Sequence, residues 1–374
     1  MKNSIFRCSK CVMISTRPRL FFDKNNICSA CQWSEEKKKK NWKLREKKLI
    51  KLLNNHRLRS RNNNFNCLVP CSGGKDGSYV AYKLKYKYKM KPLCITVNPH
   101  LPTNVGKKNL ENFIKSGYDH ITINPDYELM RLLNKYGFEY AGFPYFGWLV
   151  AIQTAVVKTA LDLNINLVFY GEDGELEYGG QSRTMTNHIF KVDYQKEIYT
   201  ENHYERILKK IKNKKKYNFY YFTFENKKSN KLKNLELTHW SSYENWDPYR
   251  NYVIAKKYCN LTESKLNNVG TFTNFAQNDQ ALVALHTYMM FLKFGFGRAS
   301  ADAAIEVRRG AMNRSQAINL VNLYDGLYPE EFEELYLDYY KISKAKFHKI
   351  LDKFANKTIL KKKDKKWILK GLID

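Results

Sequence analysis

Long apolar runs are missing from this sequence. No stretch of about 18 apolar residues occurs, which argues against a transmembrane helix and a membrane partner. The first residues are charged and polar and lack the apolar core of a signal peptide, so we expect a cytoplasmic protein. Cysteine is scarce as well, with 8 residues in a chain of 374, and in a cytoplasmic protein of this size that number argues against a disulfide framework.

Acidic residues are also few. The chain has 36 acidic and 65 basic residues, which gives a formal net charge of +29. This excess indicates an anionic partner such as a nucleotide, a phosphorylated sugar or a nucleic acid. A second interpretation stays open, in which the lysine runs at 37–40, 209–216 and 361–366 are solvated faces of a lysine-rich surface.

The chain is long enough for two or three domains, and its pattern changes along its length. From residue 65 onward, buried strands alternate with helices, and the predicted strands are 65–70, 92–99, 120–126 and 165–173. This alternation predicts an α/β fold with a parallel sheet covered on both faces. We divide the chain into a cysteine-bearing module (1–33), a basic linker helix (34–64), a nucleotide-binding domain (65–180), an irregular insert (181–250) and a helical C-terminal region (251–374).

The sequence VPCSGGKDGSYVAYKL places a glycine-rich turn between a predicted strand and a helix. Backbone amides in such a turn, together with the helix dipole, form a cradle for phosphate. Ser72 adds a hydroxyl, Gly73 and Gly74 allow close approach of phosphate, Lys75 adds a cation, and Asp76 can cap the helix or hold a metal ion. The spacing differs from that of a Walker loop. An ordinary strand–helix turn is the alternative.

This turn resembles the Ser-Gly-Gly-x-Asp-Ser loop of the PP-loop ATP pyrophosphatases, the adenine-nucleotide alpha hydrolases with a Rossmann-like fold. Gly77 stands in place of the second serine of that motif, and Ser78 follows one position later. The resemblance implies cleavage of ATP between its α and β phosphates and adenylation of a substrate oxygen. It also implies that Thr96, near the end of the second strand, lies beside the adenine.

A second polar sequence, GEDGELEYGG, follows the fourth predicted strand. Ligands of open α/β sheets bind at the carboxyl ends of the strands, and carboxylates there can hold Mg²⁺ against phosphate. A polar turn that caps a helix is the alternative. The residues assigned to nucleotide, Mg²⁺ or catalysis are Gly171, Glu172 and Asp173, and those assigned to substrate are Glu175, Glu177 and Tyr178.

Four cysteines form two CxxC pairs, Cys8 with Cys11 and Cys28 with Cys31, separated by 16 residues. Four thiolates at this spacing suit a tetrahedral, structural Zn²⁺ site. An iron–sulfur cluster or a redox dithiol remains an alternative. The other cysteines have no partners in the sequence and are predicted to be core residues: Cys67, Cys71, Cys94 and Cys259.

Together these motifs resemble those of the N-acetyl sugar amidotransferases of surface-polysaccharide and flagellar-glycan biosynthesis. The resemblance rests on the CxxC pairs with TRPRLFFD between them, the glycine-rich loop, GEDGELEYGG, WDPYRNYVIAKKY and KFGFGRASADAAIEVRRGAMNRSQAINLV. It implies that ATP activates the N-acetyl carbonyl of a nucleotide sugar or nonulosonic acid and that ammonia then replaces its oxygen, giving an acetamidino sugar. Candidate products belong to lipopolysaccharide O-antigen or to pseudaminic and legionaminic acid pathways.

The resemblance also implies roles for partners and single residues. Lys75, Asp76 and Asp173 would be catalytic, the last with Mg²⁺. Arg298 is a candidate for binding a substrate carboxylate or phosphate, and an ion pair with Asp302, four residues on, is the alternative. The sequence has no glutaminase-type nucleophile, so we expect separate glutaminase and cyclase-type proteins to supply ammonia, docked on an apolar patch; the stretch FGWLVAIQTAVV is a candidate, with a buried core helix as its alternative.

Two other functions stay open. A tRNA-modifying PP-loop enzyme, either a thiolase or a lysidine synthase, would explain the charge and the cysteine module, although the KFGFGRASADAAIEVRRG block argues against nucleic acid as the partner. A thiolase would also need catalytic cysteines near ATP, for which only Cys71 and Cys94 are candidates. A non-catalytic zinc and nucleic-acid binding protein would leave the glycine-rich loop without a role.

Overall fold

The computed structural model describes residues 5–180, 187–226, 228–364 and 366–371. The first residues of two predicted regions, 1–4 and 181–186, lie outside this part of the chain. The strands are β1 Cys67–Pro70, β2 Pro92–Val97, β3 His120–Ile123, β4 Leu167–Tyr170, β5 Ile189–Phe190, β6 Glu236–His239, β7 Leu360–Lys363 and β8 Lys366–Leu369. The α-helices are α1 Ser29–Lys39, α2 Trp42–Arg59, α3 Lys75–Tyr82, α4 Asn104–Lys115, α5 Tyr127–Ala141, α6 Phe146–Asp162, α7 Gly174–Glu177, α8 Val192–Tyr199, α9 Tyr204–Leu208, α10 Pro248–Cys259, α11 Leu282–Phe294, α12 Arg298–Arg308, α13 Arg314–Tyr324, α14 Glu333–Tyr340 and α15 Lys344–Phe354.

A mostly parallel sheet organises the fold. Within the described ranges it has 6 strands in the order β3-β2-β1-β4-β6-β5. Every neighbouring pair is parallel except β5 and β6, which are antiparallel. The chain runs outward from β1 through β2 to β3, then returns to β4 on the other side of β1. The order therefore reverses between β1 and β4, and the crevice beyond their carboxyl ends is where such sheets bind ligands.

Both faces of the sheet are buried, as the alternating pattern predicts. In β1, Leu68 belongs to one apolar core, while Cys67 and Val69 belong to the other. In β4, Val168 lies on the side of Leu68, and its neighbours lie on the opposite side. All six residues of β2 are buried. Strands that are covered on both faces have nearly continuous apolar sequences, and the sequence alone therefore predicts these strands.

Three features differ from the sequence-based expectations. The predicted linker helix is two helices, α1 and α2. Helix α2 also covers the sheet, because Leu49 and Leu53 are 1% exposed within one of the sheet cores. The segment expected to be irregular contributes β6 and β5 to the sheet. The C-terminal region, expected to be helical, ends in the hairpin of β7 and β8.

Side-chain caps fix the starts of the helices around the ligand-binding edge. Thr103 accepts from the amide of Gly106 at the start of α4. Asp247 accepts from two amides at the start of α10, where Pro248 takes the first helical position. Helix α6, which carries the FGWLVAIQTAVV stretch, is a core helix with most of its residues buried. Within the described ranges, no helix combines the length and the apolar character needed to cross a bilayer.

Candidate functional site

The glycine-rich turn leaves β1 and enters α3 at the switch point of the sheet. Gly73 has φ +80°, and a β-carbon there would lie 2.5 Å from the backbone nitrogen of Leu110. Only glycine fits this position without moving α4. Gly74 is the N-cap of α3 and offers no capping side chain to the first amides of the helix. The turn therefore packs tightly against α4 and leaves the N-cap of α3 without a side-chain hydrogen bond to the first amides of the helix.

Lys75 and Asp76 follow directly at the start of α3 and form an ion pair with each other. Lys75 is 8% exposed. The other oxygen of Asp76, Oδ1, accepts a hydrogen bond of 3.1 Å from Nδ2 of Asn251 on α10. Asn251 is fully buried. Asn251 thus positions the charged pair at the turn. Sequence analysis did not single it out, although it lies in the WDPYRNYVIAKKY block.

Gly77 and Ser78 lie on the side of α3 that packs on β1. A β-carbon at Gly77 would lie 2.9 Å from both Cys71 Cα and the carbonyl oxygen of Pro70. Ser78 is fully buried, with its Oγ 3.8 Å from Cys71 Sγ. The structure gives both residues a role in helix–strand packing and does not bring the Ser78 hydroxyl to the open side of the turn.

A cavity of about 530 Å³ opens beside the turn at the carboxyl ends of β1, β2 and β3. Ser72 and Thr96 both line it. The hydroxyl of Thr96 donates to the carbonyl oxygen of Cys71 and lies 2.8 Å from His120 Nε2, so it also fixes the path of the turn. The cavity lies at the end of β2, where the sequence analysis expects an adenine, and that role stays a prediction. Its other lining residues include Asn98, Pro99, His100, Lys107, Tyr127 and Asp279.

The acidic turn after β4 meets the glycine-rich turn across the switch point. A β-carbon at Gly171 would lie 3.4 Å from Cβ of Asp76. The next residue, Glu172, accepts a hydrogen bond of 2.9 Å from Trp246 Nε1. Burial and the charge of Asp76 raise the pKa of Glu172 to about 7, with Lys75 acting in the opposite direction. Glu172 and Asp76 are therefore the two carboxylates that the structure brings together here.

Asp173 lies at the same turn but is 1% exposed. Its Oδ1 accepts from the amides of Glu175 and Leu176 and so caps α7. Its Oδ2 lies 3.7 Å from Nδ1 of the buried His239, whose pKa is lowered by burial. The structure therefore gives Asp173 the helix-capping role that the sequence left as an alternative for this turn.

Glu175 and Glu177 face the N-terminal cysteine module. Arg19 donates to both carboxylate oxygens of Glu175, at 3.0 and 2.9 Å. Glu177 is 7% exposed and accepts from Lys37 Nζ at 2.5 Å and from Trp33 Nε1 at 3.3 Å. Both carboxylates thus join the acidic turn to the module, a contact that sequence analysis did not predict.

Arg298 is the first residue of α12, and its Nε lies 2.8 Å from Oδ1 of Asp302. Thr271 donates to the other oxygen of Asp302 at 2.7 Å. The Arg298 side chain keeps 14% of its surface exposed and lines a second cavity of about 500 Å³. Its Cζ lies 5.8 Å from the centre of the buried Tyr178 ring. The ion pair of the alternative interpretation is therefore present, and it leaves the two Nη groups of Arg298 for another partner.

Tyr178 links this arginine to the glycine-rich turn. The ring is 9% exposed. Burial raises the pKa of its hydroxyl, the charges of Glu172, Asp302 and Asp76 raise it further, and Arg298 lowers it. The predicted substrate residues Tyr178, Arg298 and Asp302 consequently lie near the predicted nucleotide residues.

The four cysteines of the two CxxC pairs come together and are all buried. Their sulfur atoms lie within 4.8 Å of one another, with Cys8 and Cys31 3.9 Å apart and Cys11 and Cys28 3.7 Å apart. Four thiolates held about 2.3 Å from a tetrahedral Zn²⁺ would be separated by about 3.8 Å, so the geometry fits this ion. Backbone amides that point at the sulfurs, such as that of Cys28 on Cys8 at 3.3 Å, complete the surroundings of a thiolate site.

Two arginines of the C-terminal region contact this module. Arg308 on α12 places Nη1 3.8 Å from Cys11 Sγ and donates from Nη2 to the carbonyl oxygen of Glu177 at 2.9 Å. Arg314 donates to the carbonyl oxygens of Cys8 and Cys11. A metal site with four thiolates carries excess negative charge, which these guanidinium groups offset. The module is thus fixed between the acidic turn and the C-terminal helices.

Comparison with known proteins concerns this same C-terminal region. Residues 269–372 match the family model of the WbpG-like C-terminal domain of lipopolysaccharide biosynthesis proteins. The matched segment contains Arg298, Asp302, Arg308 and Arg314. A search of curated proteins finds no match. The match supports the resemblance to surface-glycan biosynthesis proteins, and the C-terminal segment of this chain is similar to a domain of lipopolysaccharide biosynthesis proteins.

Proposed function

We propose that this protein is an ATP-dependent amidotransferase that converts the N-acetyl group of a sugar into an acetamidino group during surface-glycan biosynthesis. One observation carries the proposal. The glycine-rich turn and Glu172 meet at the switch point of a parallel sheet, and a segment similar to lipopolysaccharide biosynthesis proteins brings Arg298 to the same place.

The chemistry needs an activated amide, because an amide carbonyl is a poor electrophile and its oxygen a poor leaving group. In the first step the carbonyl oxygen of the N-acetyl group bonds to the α-phosphorus of ATP. The bond to the β-phosphate breaks, and pyrophosphate leaves with the electron pair. In the second step ammonia bonds to the activated carbon, and AMP leaves with the former carbonyl oxygen. Loss of one proton from nitrogen gives the acetamidino product.

The residues at the turn suit the first of these steps. The amides around Gly73 and Gly74 would bind the β and γ phosphates, with Ser72 as a further donor, and Lys75 would stabilise the charge on departing pyrophosphate. Asn251 and the ion pair with Asp76 orient Lys75 before substrate arrives. The same groups would stabilise the transition state without reorganising.

Asp76 and Glu172 would hold Mg²⁺, since both carboxylates lie beside the glycine-rich turn and the Asp76 side chain is partly exposed there. When bound, the ion would neutralise charge on the phosphates. We assign the metal role to this pair in place of Asp173, because Asp173 is 1% exposed and caps α7. Asp173 would act as a positioning residue for the turn.

Ammonia would come from separate glutaminase and cyclase-type partner proteins. All eight cysteines of the chain are buried, and burial raises the pKa of Cys71, the cysteine next to the turn, to about 12. A nucleophilic cysteine needs an accessible thiolate, so these thiols suit neither a glutaminase nor the catalysis of a tRNA thiolase. The observation favours the sugar amidotransferase over a tRNA thiolase, and the assay below distinguishes it from a lysidine synthase, which needs no catalytic cysteine.

One assay tests the proposal. The purified protein is incubated with ATP, Mg²⁺, ammonium and a panel of N-acetyl sugars, and the products are examined by mass spectrometry. We expect AMP, pyrophosphate and a sugar whose mass falls by the difference between O and NH. Lys75→Gln should abolish all three products, whereas Lys51→Gln, at an exposed position on α2, should not. AMP formed only with tRNA, alongside a modified nucleoside, would refute the proposal.

A further inference from the structure

Arg17 lies in the loop between the two CxxC pairs, yet its side chain reaches the candidate active site. Its Cζ lies 5.2 Å from the centre of the Phe296 ring and 5.8 Å from the centre of the Tyr178 ring. Both rings are buried. Contacts with aromatic faces hold a guanidinium in place without occupying its N–H donors, so Arg17 is positioned but keeps its hydrogen-bonding capacity.

The guanidinium of Arg17 has no polar partner in the described part of the chain, and its Nε is buried without an acceptor. The carboxylate that acts on Arg17 through its charge, Glu175, makes its hydrogen bonds to Arg19. Burial lowers the pKa of Arg17 to about 10, which shows how strongly this environment disfavours the isolated charge. A partly buried guanidinium that has no hydrogen-bonded counter-ion, and whose Nε lacks an acceptor, is costly, so the arrangement suits an anion from outside the chain.

The position of Arg17 indicates which anion. Arg17 and Arg298 each have Cζ 5.8 Å from the centre of the Tyr178 ring. The charges of Glu172 and Asp76, beside the glycine-rich turn, raise the pKa of the Tyr178 hydroxyl. The two arginines therefore flank Tyr178, whose hydroxyl lies within electrostatic range of the carboxylates at the turn, and a second substrate would sit there.

We propose that Arg17, together with Arg298, binds an oxyanion of the sugar substrate, so that the cysteine module supplies a substrate-binding residue. The ligand is a carboxylate of an acidic N-acetyl sugar or the diphosphate of a nucleotide sugar, since both accept paired hydrogen bonds from a guanidinium. This inference rests on the proposed function and specifies its substrate class. It also gives the metal module a role in catalysis, because the fold of the module sets the position of Arg17.

Direct binding tests the inference independently of turnover. The probes are N-acetylneuraminic acid, which carries a carboxylate, and UDP-N-acetylglucosamine, which carries a diphosphate, each titrated calorimetrically into the intact protein. Arg17→Gln should weaken one of these affinities by about 10- to 100-fold, as expected for loss of charged hydrogen bonds. Arg17→Lys should restore part of the loss, because it returns the charge without the planar fork.

The control is Lys24→Gln, which removes a positive charge from an exposed position in the same loop and should leave both affinities unchanged. Zinc content and ATP affinity should match the wild type in all three variants, which separates ligand binding from damage to the module. A loss confined to N-acetylneuraminic acid identifies the carboxylate, and one confined to UDP-N-acetylglucosamine identifies the diphosphate.

Three results would overturn the inference: neither probe binds the wild type, Arg17→Gln binds both probes as the wild type does, or only ATP affinity falls. AMP and acetamidino sugar from the assay described above would leave the proposed function standing in each of these cases. Absence of AMP with every sugar, despite Arg17-dependent binding of a probe, would refute the function and leave the anion site.

Discussion

Arg19 and Glu175, 156 residues apart in sequence, form a two-point contact in which Nε and Nη2 donate to the two carboxylate oxygens at 3.0 and 2.9 Å. The contact joins the loop between the CxxC pairs to the turn that follows β4. On the other side of the module, Arg308 reaches Cys11 and the backbone of the acidic turn. The cysteine module therefore borders the candidate site. We expect its loss to change ligand binding at the site as well as the folding of the module itself.

The first prediction concerns the metal. We expect the purified protein to contain one equivalent of Zn²⁺ and Cys11→Ser to contain far less, because a fourth thiolate is lost from a closed site. The same variant should unfold at a lower temperature, since the metal contributes to the stability of the module. Elemental analysis and calorimetry measure both effects. Cys259→Ser, at a buried cysteine away from the cluster, is the control for metal content. Iron with labile sulfide in place of zinc would show that the four cysteines hold an iron–sulfur cluster.

The second prediction compares the two glycines of the turn. Gly73→Ala should destabilise the protein by about 1–3 kcal/mol and abolish ATP binding, because the new methyl group would meet the backbone of α4 and φ is positive there. Gly74→Ala should fold normally, since in the described part of the chain the nearest atom to a β-carbon there is Ser72 Oγ, at 3.5 Å. Denaturant titration and nucleotide binding distinguish the two. Equal behaviour of both variants would contradict the structure of this turn.

The third prediction explains why the chain departs from the PP-loop motif. Gly77→Ser restores the serine of the motif, but its β-carbon would lie 2.9 Å from Cys71 Cα and the carbonyl oxygen of Pro70. We expect a loss of about 1–3 kcal/mol in unfolding free energy and no gain in the rate of AMP formation. A variant as stable as the wild type with faster AMP formation would instead mark Gly77 as a weakened catalytic position.

The parts of this structure that the sequence predicts are those with a local signal. Buried strands such as β2 are continuous apolar runs, and the CxxC spacing brings four thiolates together. Strand β6 was missed because Glu236–His239 is short, partly polar and set in a lysine-rich segment. The hairpin of β7 and β8 was missed for the same reason, since lysines fill β7.

The acidic turn shows a different limit. From sequence its four carboxylates form one cluster, with Glu172 and Asp173 as the leading metal ligands. In the structure, Glu172 precedes the short helix α7 and faces Asp76, whereas Glu175 lies within α7 and faces Arg19. Partners distant in the sequence decide the roles of both glutamates, and no periodicity within the turn indicates them. The same holds for Arg17, whose unpaired guanidinium is evident only once its neighbours are known.

The last prediction follows from the raised pKa of Glu172. Its value of about 7, against an ordinary 4.5, means that the folded protein holds the proton more tightly than the unfolded chain does. Stability from this group is therefore complete below pH 4.5 and is lost as the pH rises through 7. The side chain of Glu172→Gln stays neutral at every pH. The free energy of unfolding of this variant, relative to that of the wild type, should therefore rise by about 1–3 kcal/mol between pH 4.5 and 8. Denaturant midpoints across this range measure the difference.

Glu46→Gln is the matched control, because a hydrogen bond from Lys87 lowers the pKa of Glu46 and places its titration below this window. Mg²⁺ with ATP should shrink the gain of Glu172→Gln above pH 7, since a cation beside the ionised carboxylate would stabilise the wild type alone. A gain that is independent of pH would show that Glu172 titrates normally. A gain that is unchanged by Mg²⁺ and ATP would show that Glu172 does not face the metal, and the magnesium role would then fall to Asp76 alone.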